Sequence, residues 1–211
     1  MKRIFDIDPW LITTHELNSE NKRLQESMTS LGNEYMGMRG MFEETYSGDT
    51  HQGIYIGGVW FPDKTRVGWW KNGYPEYFGK AINALNFVKA DIYIDDQKID
   101  LARNPFSDFE LSLDMKTGVL NRTFTVFGVQ VKITRLVSAA MKELMVSHYE
   151  FMSLDGVAHR VRFDATIDAD VTNEDANYDE QFWQVLAAGH EQQTAFMATQ
   201  TMPNPFKVPQ F

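Results

Sequence analysis

Hydrophobic and polar residues alternate regularly between positions 109 and 137. From Phe109 to Met115 the apolar residues stand at odd positions and the polar residues at even ones, as in a strand with one buried face. The alternation resumes after MKTG (115–118) and again after Phe127-Gly128, two segments that are typical of turns. The pattern therefore predicts a meander of three antiparallel strands. Its second and third strands carry apolar residues at Leu120, Phe124, Val126, Val129, Val131, Ile133 and Val137.

Further strands are predicted on both sides of this meander. Residues 144–152 are apolar on both faces, which indicates a central strand between two layers. Apolar and charged residues then alternate from 157 to 171, and Asp95-Asp96 is typical of a hairpin turn. Shorter strands are predicted near 54–60, 91–95 and 194–200.

Helical spacing is limited to two short segments. Residues 20–27 can form two turns behind a cap at Asn18 or Ser19, and residues 179–186 place apolar side chains at helical spacing. Long strands joined by short turns favour two packed antiparallel sheets. The predicted class is mainly β, a large antiparallel β-sandwich with one or two short helices.

Glycine is concentrated in one segment, where seven of the chain's fourteen glycines lie between Gly32 and Gly58. That density indicates close backbone approaches and turns with positive φ. The segment 30–104 begins SLGNEYMGMRGMFEETYSGDTHQGIYIGGVWFPDKTRVGWWKNGYPEYFGKAINALNF. It resembles the N-terminal domain of glycoside hydrolase family 65, most closely in the members that phosphorolyse maltose. The resemblance continues through FELSLDMKTGVLNR (109–122), IDADVTNEDANYDEQFW (167–183) and PNPF (203–206).

This resemblance implies a fold and a domain organisation. Residues 1–200 are expected to form a β-sandwich of the galactose-mutarotase-like type, often called a super-sandwich. Residues 201–211 are expected to begin a linker to a catalytic helical (α/α)6 barrel that is absent from this chain. The chain is thus expected to be the first domain of a longer enzyme.

The family also implies an activity for the parent enzyme. Its members are inverting phosphorylases, in which phosphate attacks the anomeric carbon of a disaccharide and releases β-glucose 1-phosphate and free glucose. Phosphate is a co-substrate and no organic cofactor is implied. The family's catalytic glutamate and phosphate-binding residues belong to the barrel, so residues 1–211 are expected to hold no catalytic residue, cofactor site or metal. The implied partners are the catalytic domain, a second copy in a homodimer, and the disaccharide.

Composition and charge argue against some classes of partner and bear on the location of the protein. The net charge of −9 argues against a nucleic acid or an anionic membrane, because an acidic surface repels both polyanions. The chain has no cysteine, and MKRIFDIDPW lacks the apolar run of a signal peptide. A cytoplasmic location is therefore predicted.

Two glutamates follow an arginine in RGMFEE, namely Arg39, Glu43 and Glu44. A buried arginine–carboxylate pair that fixes a glycine-rich corner is favoured over a general acid. Neighbouring carboxylates on one strand point to opposite faces, and so they would not form the opposed acid and base of a glycosidase.

An aromatic cluster is the best local indication of sugar contact or of an interface. Flat rings suit both pyranose sugars and protein partners. A domain or subunit interface is favoured over the rim of the active site and over plain core. The cluster comprises Trp69, Trp70, Lys71, Asn72, Tyr74 and Tyr77.

Other candidate sites are weaker. Asp168, Asp170 and Thr172 alternate as calcium ligands sometimes do, but an EF-hand loop requires glycine and glutamate where this chain has other residues. His148 with Glu150 is the only local pair suited to an aldose epimerase of mutarotase-like fold. The two rival functions are therefore such an epimerase and a stand-alone carbohydrate-binding module that uses Trp69 and Trp70. No physical argument from these residues selects the disaccharide linkage.

Overall fold

The protein is described by a computed structural model that covers residues 3–65, 73, 75–171 and 180–207. Most of its regular structure is strand, as predicted, and the strands pair antiparallel. The chain divides into two compact units: Met1–Gln52 with Val88–Thr166, and Gly53–Phe87 with Ile167–Phe211.

The main sheet of the first unit has five strands, which lie in the order β1 (Leu11–Thr14), β9 (Ser107–Asp114), β10 (Val119–Val126), β11 (Val129–Val137) and β12 (Met145–Ser153). The predicted meander is confirmed, because β9, β10 and β11 pair in sequence. Phe127 and Gly128 have φ of 52° and 77°, and Gly118 has φ of 67°, so both predicted reversals use the left-handed region.

One face of this sheet forms the core of the first unit. Alternate residues of β9, β10 and β11 are buried, while their neighbours are partly or fully exposed. Each buried aliphatic or aromatic side chain contributes roughly 1.5–3 kcal/mol, so this face fixes the register of the meander. Its buried apolar residues are Phe109, Leu111, Leu113, Leu120, Phe124, Val126, Val129, Val131 and Ile133.

A second sheet of the first unit has the order β13-β7-β8. Asp95 and Asp96 have φ of 48° and 67° and form the predicted hairpin turn between β7 and β8. The first unit also contains the short pair of β2 with β3. The strands concerned are β2 (Leu31–Gly32), β3 (Met36–Met38), β7 (Ala90–Ile94), β8 (Gln97–Lys98) and β13 (Val161–Ala165).

Two strand predictions require correction. The segment 144–152 is not central: β12 is the last strand of its sheet among the described residues, and its alternate side chains are exposed. The long strand predicted over 157–171 is regular only in β13. There the chain pairs with β7, and beyond it the contacts are single ones, such as the isolated bridge between Asp168 and Asn86.

The first predicted helix is present. A 3₁₀ turn, Ser19–Asn21, leads into α1 (Lys22–Met28), and the Asn18 side-chain oxygen accepts the Glu20 amide at 2.8 Å. This is the predicted N-cap. No helix in the described part of the chain is long and apolar enough to cross a membrane.

The second predicted helix, 179–186, is wrong over its described residues. A strand, β14 (Trp183–Glu191), begins inside it and pairs with β15 (Thr194–Thr201). The ladder of hydrogen bonds with β15 outweighs the weak helical spacing of a few apolar residues. Residue 179 lies outside the described residues.

The second unit has a small core of its own. Ile82, Phe182 and Trp183 are buried together, and Phe61 packs against them. The single strand predicted near 54–60 is two strands, because Gly58 turns the chain with φ of 83°. The strands of this part are β4 (Ile54–Ile56), β5 (Trp60–Lys64) and β6 (Tyr77–Ala81), of which β5 and β6 pair.

Candidate functional site

Glu43 and Glu44 form the centre of a buried ionic cluster in the first unit. Arg122 Nη1 and Nη2 each donate to a Glu44 oxygen at 2.5 Å, and Nη2 also donates to Glu43 at 2.9 Å. Arg135 Nε donates to Glu43 Oε1 at 2.8 Å, and its Nη2 donates to the same oxygen. All four side chains are at most 3% exposed, so the pairs are shielded from water.

Helix α1 brings a fourth ion pair to the same region. Lys22 and Glu26 are joined across one turn of the helix, and both are buried. The Lys22 Nζ and the Arg122 Cζ each lie 3.8 Å from the centroid of the Phe42 ring, which therefore contacts two cations. Glu26 also accepts the Thr50 hydroxyl at 2.5 Å.

The six ionised side chains balance in charge. Burial favours the neutral form of Glu43, but the positive charges of Arg135 and Arg122 outweigh it and hold the pKa of Glu43 below its usual range. The Glu43 carboxylate therefore has no proton to give near neutral pH, and it is unsuited to general acid catalysis. For Lys22 burial is the stronger effect: it favours the neutral amine and lowers the pKa of Lys22, although the negative charge of Glu26 acts in the opposite direction. The cations are Lys22, Arg122 and Arg135, and the anions are Glu26, Glu43 and Glu44.

Glu43 and Glu44 pair with arginines, but these are Arg122 and Arg135 and not the expected Arg39. Arg39 donates to the Ser27 hydroxyl at 2.5 Å and to the Arg23 carbonyl at 3.1 Å. Only its backbone takes part in the corner, where the Arg39 carbonyl accepts Arg135 at 3.3 Å. The expectation that the two carboxylates diverge is wrong as well. Glu43 and Glu44 lie in a bend, where strand alternation does not apply, and both contact Arg122.

The sequence held a signal for the two missed arginines. Arg122 stands in β10 at a position where the alternation requires a buried residue, between Leu120 and Phe124. Arg135 interrupts the buried face of β11 in the same way after Ile133. A charged residue on the inward face of a strand needs a buried partner of opposite charge. The signal therefore predicts two such partners, and Glu43 and Glu44 are those partners.

A small cavity adjoins the cluster. Its volume is about 10 Å³, which is close to the minimum for one water molecule and far too small for a sugar ring. The backbone also approaches closely here, because a Cβ atom on Gly40 would lie 1.9 Å from the Thr29 hydroxyl. The high glycine density of this segment thus serves packing at this position.

The aromatic cluster lies almost wholly outside the described residues, which exclude Trp69, Trp70, Lys71, Asn72 and Tyr74. Tyr77 is described. It stands at the start of β6, is half-buried, and its ring centroid lies 5.3 Å from that of Phe206. Its place at an interface or an active-site rim stays a prediction.

The sequence profile described as "Glycosyl hydrolase family 65, N-terminal domain" matches residues 12–210. The chain belongs to this family. It is 53% identical over 214 residues to a maltose phosphorylase of Bacillus subtilis, covering all of this chain and 28% of that protein. It is 30% identical over 129 residues to a kojibiose phosphorylase of Thermoanaerobacter brockii, covering 61% of this chain and 15% of that one.

A solved structure shares the fold of this family 65 domain. It is a putative kojibiose phosphorylase from the human microbiome, with a TM-score of 0.84 and 26% identity. The similarity covers 95% of this chain and 27% of that one. The match thus covers between 15% and 28% of the length of these relatives.

The remaining candidate site residues of this family 65 domain are the proposed epimerase pair and the proposed calcium ligands. His148 Nε2 lies 3.8 Å from Glu150, but both side chains are more than half exposed, and Glu150 pairs with Lys132 at 2.9 Å. Asp168 accepts the backbone amide of Asp170 at 3.0 Å, and Thr172 lies outside the described residues. Within the described ranges, no cluster of three or more histidine, aspartate or glutamate side chains is arranged to hold a metal ion.

Proposed function

We propose that this chain is the non-catalytic N-terminal domain of an inverting maltose phosphorylase. The observation that carries the proposal is the 53% identity, along the whole chain, to the Bacillus subtilis maltose phosphorylase. The kojibiose and α,α-trehalose phosphorylases of Thermoanaerobacter brockii reach 30% and 27% over parts of the chain. Maltose is therefore favoured over the other disaccharides by similarity.

The reaction of the whole enzyme is the phosphorolysis of maltose. Inorganic phosphate forms a new C–O bond at the anomeric carbon of the non-reducing glucose, and the glycosidic C–O bond breaks. The products are β-D-glucose 1-phosphate and glucose. A glutamate outside this chain protonates the leaving oxygen, and phosphate itself replaces the water and base of an inverting hydrolase. No metal or organic cofactor takes part.

The paired carboxylates of the ionic cluster support a structural role for this domain. Glu43 and Glu44 are the carboxylates with the deepest burial in the glycine-rich segment, and two arginines saturate them. The domain would then act by supporting the catalytic barrel and by building a homodimer in the cytoplasm. The segment with Trp69 and Trp70 is the proposed contact with the barrel or the second subunit.

The decisive experiment compares this 211-residue chain with the full-length gene product. Glucose 1-phosphate release is measured with phosphate and, in turn, maltose, kojibiose, trehalose and nigerose. We expect release by the long form alone and with maltose as the best substrate. Release by the short chain would place a catalytic carboxylate within it, and preference for another disaccharide would overturn the maltose assignment.

The same chain separates the two rival functions. A carbohydrate-binding module would bind maltose by calorimetry and lose binding in Trp70→Ala. An epimerase would accelerate the mutarotation of α-D-glucose, followed by polarimetry, and lose that effect in His148→Ala. We expect neither activity from the isolated chain.

The interface is tested in the full-length protein. Trp70→Ala is expected to weaken the dimer, or to lower the melting temperature of the barrel, in sedimentation and calorimetry. Trp10→Ala is the matched control, because Trp10 is an exposed tryptophan of the first unit. Equal effects of the two substitutions would contradict an interface at Trp70.

A further inference from the structure

His159 lies between two carboxylates in the connection from β12 to β13. Its Nδ1 is 2.6 Å from Asp95 Oδ2, and its Nε2 is 3.0 and 3.1 Å from the two oxygens of Asp155. Asp95 belongs to the turn between β7 and β8, whereas Asp155 belongs to the same connection as His159. The His159 side chain is only 11% exposed, although both carboxylates reach solvent.

Other donors hold both carboxylates in place. Asp95 Oδ1 accepts the backbone amide of Arg160 at 2.8 Å. Asp155 Oδ1 accepts the backbone amide of Val157 at 3.0 Å and the Ser153 hydroxyl at 3.1 Å. The acceptors on the two sides of the imidazole are therefore fixed by the backbone and do not depend on the ring.

A neutral imidazole cannot satisfy this geometry. It carries one N–H and one lone pair, so one of the two ring nitrogens would direct its lone pair at a carboxylate. The imidazolium form has two N–H groups and donates to both sides, and each hydrogen bond is then charge-assisted. The arrangement is therefore selective for the protonated ring.

We propose that His159 is a pH-dependent clamp, which in its protonated form bridges Asp155 of the connection 154–160 and Asp95 of the β7–β8 turn. On deprotonation this bridge is lost and the connection is held to the turn only by the contacts of Arg160 with Asp95 and Asp96. The connection also touches a second turn, between β10 and β11, since the Leu154 amide donates to the Gly128 carbonyl at 2.9 Å. A Cβ on Gly128 would lie 2.3 Å from Asp155 Oδ2. The clamp thus joins one loop to the ends of two hairpins.

The surrounding charges set the direction of the effect. The β7–β8 turn contributes Asp95 and Asp96, and the connection contributes Asp155 and Arg160, whose guanidinium pairs with Asp96. Hydrogen bonds to Asp95 and Asp155 raise the pKa of His159 above its ordinary value. The stabilisation is therefore complete below the unfolded pKa of 6.5 and is lost as the pH rises through the folded value.

The acidic limit of the clamp is set by the carboxylates. The backbone amide of Val157 and the His159 ring lower the pKa of Asp155 to about 2. The backbone amide of Arg160 and the His159 ring lower that of Asp95 as well. Both carboxylates hence stay ionised throughout mildly acidic solution, where His159 is charged.

The test follows local opening by hydrogen exchange of residues 157–161 in the full-length protein at pH 6 and pH 9, corrected for intrinsic exchange rates. We expect protection to fall by about threefold or more at the higher pH. His159→Gln is expected to show low protection at both pH values. His148→Gln, on the exposed face of β12, is the matched control and should retain the natural profile.

The proposal would be overturned if the protection of residues 157–161 in the natural protein did not depend on pH. It would also be overturned if His159→Gln showed the same pH-dependent protection as the natural protein. If His159→Gln does not fold, the imidazole resonance of the natural protein decides instead. A titration midpoint above 6.5 that drops in Asp95→Asn supports the clamp, and a midpoint at or below 6.5 refutes it. Neither readout depends on the activity of the enzyme.

Discussion

The Glu43 carboxylate accepts two hydrogen bonds from the Arg135 guanidinium, one of them from Nε at 2.8 Å, although the two residues are 92 positions apart in the sequence. Both side chains are about 2% exposed. The contact joins the glycine-rich segment to the main sheet. Since neither charge can return to water without opening the core, each side chain needs its buried partner.

Removal of Arg135 is expected to destabilise the protein strongly. Arg135→Met leaves Glu43 with Arg122 alone, and the loss of one partner from a buried ion pair costs about 3–5 kcal/mol. Urea denaturation followed by circular dichroism measures the change. Lys132→Met on the same strand is the control, because its pair with Glu150 is exposed and its loss should barely move the midpoint. Similar midpoints for both variants would contradict the importance of the buried pair.

The Glu43 carboxylate is also expected to set part of the acid sensitivity of the fold. Its pKa is lowered in the folded state, so its contribution is complete above the unfolded value of 4.5 and is lost as the pH falls through the folded value. The urea midpoint of the natural protein should therefore fall between pH 5 and pH 3. Glu43→Gln should start from a lower midpoint and show a smaller fall over that range. Parallel curves would contradict the assignment.

Gly40 is expected to tolerate no side chain. In Gly40→Ala the new methyl group would meet the Thr29 hydroxyl at 1.9 Å and the Thr29 backbone oxygen at 2.9 Å, so the segment must shift. Overpacking of this kind costs about 1–3 kcal/mol. Gly37→Ala is the control, because its nearest neighbour, the Leu31 carbonyl oxygen, lies 4.0 Å away. The idea fails if thermal unfolding ranks the two variants equally.

The second unit offers a similar comparison between two tryptophans. Trp183 is buried and its indole Nε1 donates to the Asn83 carbonyl at 2.7 Å, whereas Trp60 is 37% exposed. Trp183→Phe leaves that carbonyl unpaired and a void in the core, which together cost about 2–4 kcal/mol. Trp60→Phe should cost much less. Urea unfolding followed by far-ultraviolet circular dichroism distinguishes them, and an equal loss would contradict the role of the indole hydrogen bond.

The meander could be predicted because its information is local. The alternation of β9, β10 and β11 and the turns at Gly118 and Gly128 follow from neighbouring residues. The start of β14 has helical spacing in the sequence, but it forms a strand because it pairs with β15, a partner that periodicity within a single segment does not reveal. The alternation of apolar and polar residues thus predicted the strands that pair with their neighbours in sequence. It failed in the segment 179–186, whose apolar spacing fits both a helix and a strand.

The ionic cluster was only half predictable for a related reason. The glutamates stood out as a pair beside glycines, and Arg39 was the nearest cation in sequence. The true partners, Arg122 and Arg135, stand at buried positions of β10 and β11, where the apolar alternation alone does not indicate their role. Pairing between distant segments requires the three-dimensional arrangement of the strands, which no single segment specifies.

The division of the first unit between two stretches of chain has a consequence for synthesis on the ribosome. Glu43 emerges 92 residues before Arg135, and at about 5–20 residues per second that interval lasts roughly 5–18 s. During this time the nascent segment must keep its carboxylates hydrated. The ion pair between Glu43 and Arg135 can therefore form only late in synthesis, after the strand that carries Arg135 has been made.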